Sequence, residues 1–403
     1  MADPLETALH LVRPADERDL FPLKSAPRRQ AQAGKRVRIA QVLTRGDVLG
    51  GAQTHVRELS LELLSLGHEL TVVTGAPGIF TKQLGQAQIP SRTVRSLVRP
   101  VRPLLDGAAL VELVYVLRGL KPDLVCAHTA KAGSLARAAA RILHIPSVFT
   151  PHGWSIFDRT SLRPNLFFCY AERLAGRLGT RVINVCEFER TLARQYDVCP
   201  AEALDVVHNG IAELEIARVR RVDHQPPTLV MIARFAVQKD HATLLQALSG
   251  IRGMEWRLLL VGSGEEEQTV AAQIASLGVG GRVKILPQES NVAGLLMEAQ
   301  GFVLSTHFEA FPISILEAMR AGLPVVATDV GGISEIVRHE QTGLLVRPKH
   351  VEDLRRALER VIANPSLRVS LGDQGRQLWA AQFTARAMAA RTVQVYEKAL
   401  ACA

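Results

Sequence analysis

Two periodicities alternate along most of this chain, and that alternation limits what it can fold into more than any single motif. VRIAQVL (37–43) is a β-branched, apolar run of strand length. The glycine-containing loop TRGDVLGG follows, and then AQTHVRELSLELLSLG, whose apolar residues recur at helical spacing. HELTVVTG, PDLVCAH, SVFTPHG and RVINV read as further strands, with helical stretches such as ALVELVYVLRGL and AGSLARAAARIL between them. A polar stretch, HNGIAELEIARVRRVDHQPP, interrupts the pattern. The alternation then restarts with TLVMIAR, HATLLQALSGI, RLLLVG, VKILP, GFVLS and PVVATD. Strands separated by helices must pair in parallel, with helices on both faces of the sheet. The expectation is therefore two α/β units joined near residues 208–227, closed by the helical stretch FTARAMAARTVQVYEKALA.

Whole-chain properties narrow the class. At 403 residues, 47% hydrophobic and 22% charged, the chain has ample apolar material for two cores. No apolar run approaches the ~18 residues of a membrane-spanning helix, so none is expected. Residues 1–35 carry acidic groups near their start and lack an apolar centre, so they read as a poorly ordered extension and not as a secretory signal. Cys126, Cys169, Cys186, Cys199 and Cys402 are scattered, odd in number and without a Cys-x-x-Cys pair. They argue against a zinc site or disulfide scaffold and fit a reducing cytosol.

The charge is uneven. Residues 1–205 hold 27 Lys+Arg against 19 Asp+Glu, which accounts for nearly all of the chain's net +9. No acidic residue lies between Glu69 and Asp106, while Lys82, Arg92, Arg95, Arg99 and Arg102 accumulate around SRTVRSLVRPVRP. Such a run is compatible with a solvated face, or with a patch for anionic lipid or a phosphate-bearing acceptor, where each cation contributes about 1 kcal/mol at an anionic leaflet. Nucleic acid lacks support, because aromatic residues make up only 5% of the chain and no aromatic-and-basic module is present.

Open parallel sheets bind ligands beyond the carboxyl ends of their strands, and the polar motifs fall there. Gly50 and Gly51 open a helix just after the first strand, where backbone N–H groups can meet an oxygen anion; a plain tight turn is the alternative. Their G-x-x-x-G-G pattern differs from the dinucleotide fingerprint, so nicotinamide chemistry is not indicated. Arg234 and Lys239 lie beyond the strand TLVMI. They could neutralise a diphosphate without a metal, or could simply be solvated. In HFEAFPISILEAMRAG, Glu309 falls in a loop, Pro312 suits the start of a helix and Glu317 lies on that helix, with Gly322 stopping it. The two glutamates are therefore not a helical i, i+4 pair.

The series GGAQTHVREL, TPHGW, HNGI, ARFAVQKDHATLLQAL, LLLVGSGEEEQ and FEAFPISILEAMRAGLPVVATDVGGISEIV, with TGLLVRP, resembles glycosyltransferase family 4 over roughly residues 36–400. The resemblance implies the α/β GT-B architecture, two Rossmann-like domains with parallel sheets facing across a cleft. An acceptor-binding domain would span 36–207 and a nucleotide-sugar-binding domain 208–380, with 381–403 as a helix packing back on the first. It also implies retaining sugar transfer from a nucleotide-sugar donor, a UDP sugar, with no cofactor and no metal. The segment from Lys121 to Trp154 further resembles members that build capsular and exopolysaccharide units on a lipid carrier, which implies a glycan or lipid-linked acceptor and a cytoplasmic enzyme with peripheral attachment at the membrane's inner face.

Residue by residue, the resemblance implies that Glu309 binds hydroxyls of the donor sugar and Glu317 the ribose. Arg234 and Lys239 would hold the diphosphate as it leaves, and His152 would face the reacting sugar. Gly50, Gly51, Ala310, Phe311 and Pro312 would border the donor. Ala310 departs from a glycine common in relatives, Cys186 from a serine and Ala212 from an aspartate. A sugar-nucleotide epimerase or another nucleotide-sugar-binding protein on the same fold is the alternative reading. A phosphorylase would need a pyridoxal-phosphate lysine context that the sequence lacks.

Overall fold

A computed structural model describes residues 36–156, 165–214, 226–251, 253–288 and 291–402. Two expectations, the N-terminal extension and most of the polar connection near 208–227, lie outside the described residues.

The first sheet has seven strands: β1 Arg38–Leu43, β2 Glu69–Thr74, β3 Ser91–Thr93, β4 Leu124–His128, β5 Ser147–Thr150, β6 Arg181–Asn184 and β7 Leu204–Val206. Their spatial order is β3-β2-β1-β4-β5-β6-β7, and every pairing is parallel. The second sheet has six: β8 Thr228–Ile232, β9 Arg257–Val261, β10 Val283–Leu286, β11 Gly301–Leu304, β12 Val325–Thr328 and β13 Gly343–Val346, in the order β10-β9-β8-β11-β12-β13. Both sheets reverse strand order once, between β1 and β4 and between β8 and β11, and those switch points are where such folds open a crevice. The α/β expectation holds.

Near-continuous burial explains the strands. β4, β5, β11 and β12 are buried at every position, as strands covered by helices on both faces must be. The sequence reading found the central strands and passed over β3, β7 and β13. All three lie at sheet edges and have only three or four residues, which give little periodicity to register.

The last helix, Ala385–Ala401, begins after Thr384, whose hydroxyl accepts from the Ala387 N–H at 3.2 Å. It packs Met388, Ala389, Val395, Tyr396 and Ala399 into a core of the first unit, against the helix Gly51–Ser65 and the strands β5 and β6. Lys398 Nζ reaches Asp205 at 2.9 Å. The chain thus crosses from the second unit back to the first.

Candidate active site

The site residues sit where the two switch points face each other. Beyond β1, Gly50 caps the helix Gly51–Ser65 in an extended conformation. A Cβ added at Gly51 would meet nothing within 4 Å, so no contact among the described residues requires that glycine. Leu49 O accepts a hydrogen bond from Gln288 Nε2 at 2.7 Å, which links this turn to the second unit.

Beyond β8, the loop carrying Arg234 and Lys239 is held by close packing of the Gly-Ser-Gly turn that follows β9. A Cβ at Gly262 would lie 2.1 Å from Ala233 O and one at Gly264 would lie 2.2 Å from Phe235 O, so both positions require glycine. Arg234 is exposed and has no side-chain partner among the described residues. Lys239 is different. Its ammonium is ion-paired with the carboxylate of Glu309, which also accepts from Thr306 Oγ1 at 3.1 Å.

Glu309 lies beyond β11 in a tightly determined loop. Thr306 N donates to Thr328 Oγ1 at 3.1 Å, and Thr306 Oγ1 lies 3.1 Å from Gln238 O. Gly331, at φ +59°, and Gly332 press on its backbone: a Cβ at Gly331 would lie 1.7 Å from Glu309 O, and one at Gly332 would lie 2.1 Å from Ala310 O. Ala310 and Phe311 are buried, and Pro312 caps the helix Ile313–Arg320. That helix carries Glu317. Burial pushes its carboxyl above the usual range, against the pull of Arg320 and Arg57, with Glu58 adding to the rise. Glu309 and Glu317 therefore answer to different partners.

Beyond β5, His152 occupies the left-handed region at φ +55°, followed by Gly153 at +111°. Trp154 anchors the turn, its backbone N–H donating to Glu189 Oε1 at 3.1 Å and its indole N–H to Glu189 O at 3.0 Å. His152 belongs to a cluster. His128, the last residue of β4, places Nδ1 3.0 Å from His152 Nε2, and the His55 ring lies 4.6 Å from the His152 ring, edge on. His55 Nδ1 in turn meets Asn209 Oδ1 at 2.9 Å, and Asn209 Nδ2 donates to Phe311 O at 3.0 Å. Hydrogen bonds and ring contacts thus connect the first unit's histidines to the loop that holds Glu309.

Burial pushes His55 down to about 4 against the opposing hydrogen bond from Asn209. Burial also holds His128 and His152 well below 6.5, helped by repulsion from His55 and, at His152, from His128. All three are neutral imidazoles at pH 7. They are the one group among the described residues whose ligand atoms, within 4.8 Å of each other, could hold a metal ion. The bonds to Asn209 and within the cluster already occupy one nitrogen on each ring.

A second clasp joins the units. Glu335 accepts from the backbone N–H groups of Glu187 (2.8 Å) and Phe188 (2.9 Å) and pairs with His208 Nε2 at 2.9 Å. Burial alone would raise the Glu335 carboxyl, but these bonds outweigh it and hold it below the ordinary carboxylate value. His208 stacks on Phe311 at 4.9 Å and 15°.

Sequence reasoning did not single out His55, His128, Asn209 or Glu335. A signal existed for His128: a polar residue closing the apolar run LVCAH, at the strand end where ligands bind. The others become visible only when the two units meet.

Two doubly wound parallel sheets with their ligand-binding ends turned to one interdomain crevice, lined by the Lys239–Glu309 pair, define the GT-B class of glycosyltransferase. The family models agree: residues 49–213 match "Glycosyltransferase Family 4" and residues 213–378 match "Glycosyl transferases group 1". The chain belongs to glycosyltransferase family 4. It is 31% identical over 345 residues to the lipopolysaccharide core biosynthesis glycosyltransferase LpsE of Rhizobium meliloti, covering 84% of this chain and 93% of that one. It is 23% identical over 352 residues to an Escherichia coli UDP-Gal:alpha-D-GlcNAc-diphosphoundecaprenol alpha-1,3-galactosyltransferase, covering 83% and 90%. Among solved structures, Anabaena HepE in complex with UDP and glucose superimposes with a TM-score of 0.78 at 21% identity, over 90% of this chain and 100% of that one.

Proposed function

We propose that this glycosyltransferase moves a sugar from a UDP-linked donor to a glycan or lipid-linked saccharide, with retention at the anomeric carbon and without a metal, in the building of a cell-surface polysaccharide. The observation that carries the reading is the Lys239–Glu309 ion pair between the loops beyond β8 and β11, with Arg234, exposed and without a side-chain partner among the described residues, on the same loop as Lys239. A donor diphosphate would draw Lys239 and Arg234 to its oxygens and release Glu309 to accept from vicinal sugar hydroxyls.

Breaking the anomeric C–O bond makes an oxocarbenium-like centre and a diphosphate anion. Arg234, Lys239 and backbone N–H groups stabilise that anion where its charge develops. The departing phosphate takes the acceptor's proton on the same face of the sugar, so the new bond keeps the configuration of the old one. His152 faces the sugar as a neutral imidazole. Glu317 holds the ribose, and Gly50 and Gly51 border the diphosphate or acceptor. This differs from a retaining glycosidase, in which a second carboxylate attacks the sugar.

The activities of the Escherichia coli and Rhizobium meliloti relatives support a polyprenol-linked or lipopolysaccharide acceptor. Work on such acceptors calls for an enzyme in the cytoplasm at the inner face of the membrane, and Arg92, Arg95, Arg99 and Arg102 supply an anion-seeking patch. No helix among the described residues is long and apolar enough to cross a bilayer. A panel of sugar nucleotides, each incubated with and without lipid-linked acceptor, tests the reading through nucleotide release. Release that depends on acceptor is expected; acceptor-independent isomerisation of the donor would indicate an epimerase.

A further inference from the structure

Three histidines from three separate elements meet at the switch point of the first sheet. His55 lies on the helix Gly51–Ser65, His128 closes β4, and His152 stands in the turn beyond β5. One ligand nitrogen from each ring lies within 4.8 Å of the other two. His55 and His128 are buried and His152 is half-buried, so the cluster opens on the His152 side.

Hydrogen bonding within the protein leaves this cluster incomplete. Asn209 Nδ2 donates to Phe311 O, which turns Asn209 Oδ1 toward His55, and that oxygen can only accept from the His55 Nδ1–H at 2.9 Å. The lone pair of His55 is therefore on Nε2. His128 Nδ1 and His152 Nε2 face each other at 3.0 Å with one proton between them. The other nitrogen of His128, Nε2, is buried and has no hydrogen-bond partner among the described residues, so neither tautomer of that ring is fully satisfied.

A proton bonds covalently to only one of two facing imidazole nitrogens, whereas a metal ion binds both. Zinc–nitrogen bonds of about 2.0–2.1 Å place tetrahedral ligands about 3.3 Å apart, so the His128–His152 pair is already close to that spacing. Burial keeps all three rings neutral, and no added proton competes for their lone pairs at pH 7. Imidazoles without oxygen ligands select zinc-like ions over magnesium or calcium. We propose that His55, His128 and His152 form a zinc site that switches the enzyme off. The ion takes the place of the proton between His128 Nδ1 and His152 Nε2, that proton moves to the other nitrogen of its own ring, and His55 Nε2 closes on the ion as third ligand with water as fourth. The Asn209 bond to His55 Nδ1–H then serves as the outer partner that fixes a metal-bound imidazole. With zinc bound, His152 is turned to the ion and not to the sugar. That inhibition rests on the reading that His152 faces the donor sugar; the metal site does not.

Calorimetric titration of zinc chloride into the full chain carrying Cys402→Ser, which removes the exposed thiol, tests the site at pH 7 without donor or acceptor. One equivalent should bind with a Kd below about 10 µM. On that background Asn209→Ala should weaken binding about tenfold, and His55→Gln and His128→Gln at least about a hundredfold, since losing a ligand costs more than losing an outer partner. Should the glutamine variants misfold, Co2+ in the Cys402→Ser chain gives a separate readout: the visible bands of a tetrahedral ion, abolished by zinc and without a thiolate band in the near ultraviolet. No binding, binding unchanged in both glutamine variants, or the spectrum of an octahedral cobalt ion would overturn the site and leave surface-bound zinc only. In a transfer assay with free zinc held at ten times its Kd, the initial rate should fall about tenfold, in line with site occupancy. A rate that zinc leaves unchanged or raises, with the ion held by the histidines, would overturn the inhibitory role. A chain that binds zinc as stated but transfers no sugar even with a chelator present would count against the proposed function and not against this site.

Discussion

His128 Nδ1 lies 3.0 Å from His152 Nε2, and His152 is held at a left-handed φ of +55° that few non-glycine residues adopt. A strained, half-buried imidazole stays in one orientation only if its surroundings determine it, and His128 contributes one of those determinants. His128→Ala should therefore lower kcat on the order of 10²-fold, the scale of misplacing a reacting group by an ångström, with donor KM changed less than about threefold. His128→Gln keeps a donor near the same place and should restore part of the rate. Steady-state kinetics on the two variants check this; equal loss in both would leave His128 with a packing role alone.

The same cluster sets a pH dependence. Folding holds His55, His128 and His152 neutral at pH values where the unfolded chain, titrating near 6.5, takes up protons. The unfolded state then binds more protons, so stability falls as pH drops below about 6.5 and is fully present above it. For His55, the gap from 6.5 to about 4 corresponds to about 3 kcal/mol lost once pH is below both values. Thermal melts at pH 7 and pH 5 should show the loss, and His55→Gln, which keeps a partner for Asn209, should make it smaller.

Lys239 and Glu309 are each mostly buried, so neither can lose its partner without consequence. Lys239→Ala and Glu309→Ala should each cut transfer by at least about 10²-fold, the typical effect of removing one group that stabilises developing charge. Far-UV circular dichroism should remain that of the wild type. If the two residues act on one donor, the double variant should lose much less than the product of the single losses. Transfer at the wild-type rate in either single variant would refute the roles given to them.

Both sheets were legible in the sequence because their central strands are buried on two faces and therefore read as apolar runs. The place of Glu309 in a loop and of Glu317 on the next helix followed from Pro312 and Gly322 in the same way. Short-range signals of that kind do not reach across the crevice. Asn209 stands in HNGI with no local reason to meet His55, 154 positions earlier, and Glu335 with none to accept from Glu187 N–H; these contacts exist because the two units meet.

Gly331 and Gly51 are both glycines in motif turns, yet the structure separates them. Gly331 lies at φ +59°, and an added Cβ would come within 1.7 Å of Glu309 O, inside any tolerable contact. Gly331→Ala must therefore move the Glu309 loop as well as accept a left-handed alanine, which costs about 1–2 kcal/mol by itself. It should destabilise the chain by more than about 2 kcal/mol and lower transfer, because Glu309 moves with its backbone. Gly51→Ala meets nothing within 4 Å and should leave stability within about 0.5 kcal/mol of the wild type. Donor or acceptor KM should nevertheless rise in Gly51→Ala, because the added methyl would occupy space that a phosphate at the helix start needs. Denaturant midpoints and KM values for the two variants test this: a KM unchanged in Gly51→Ala would remove the helix start from the binding site, while a stable, active Gly331→Ala would show that the Glu309 loop does not depend on the close approach of Gly331.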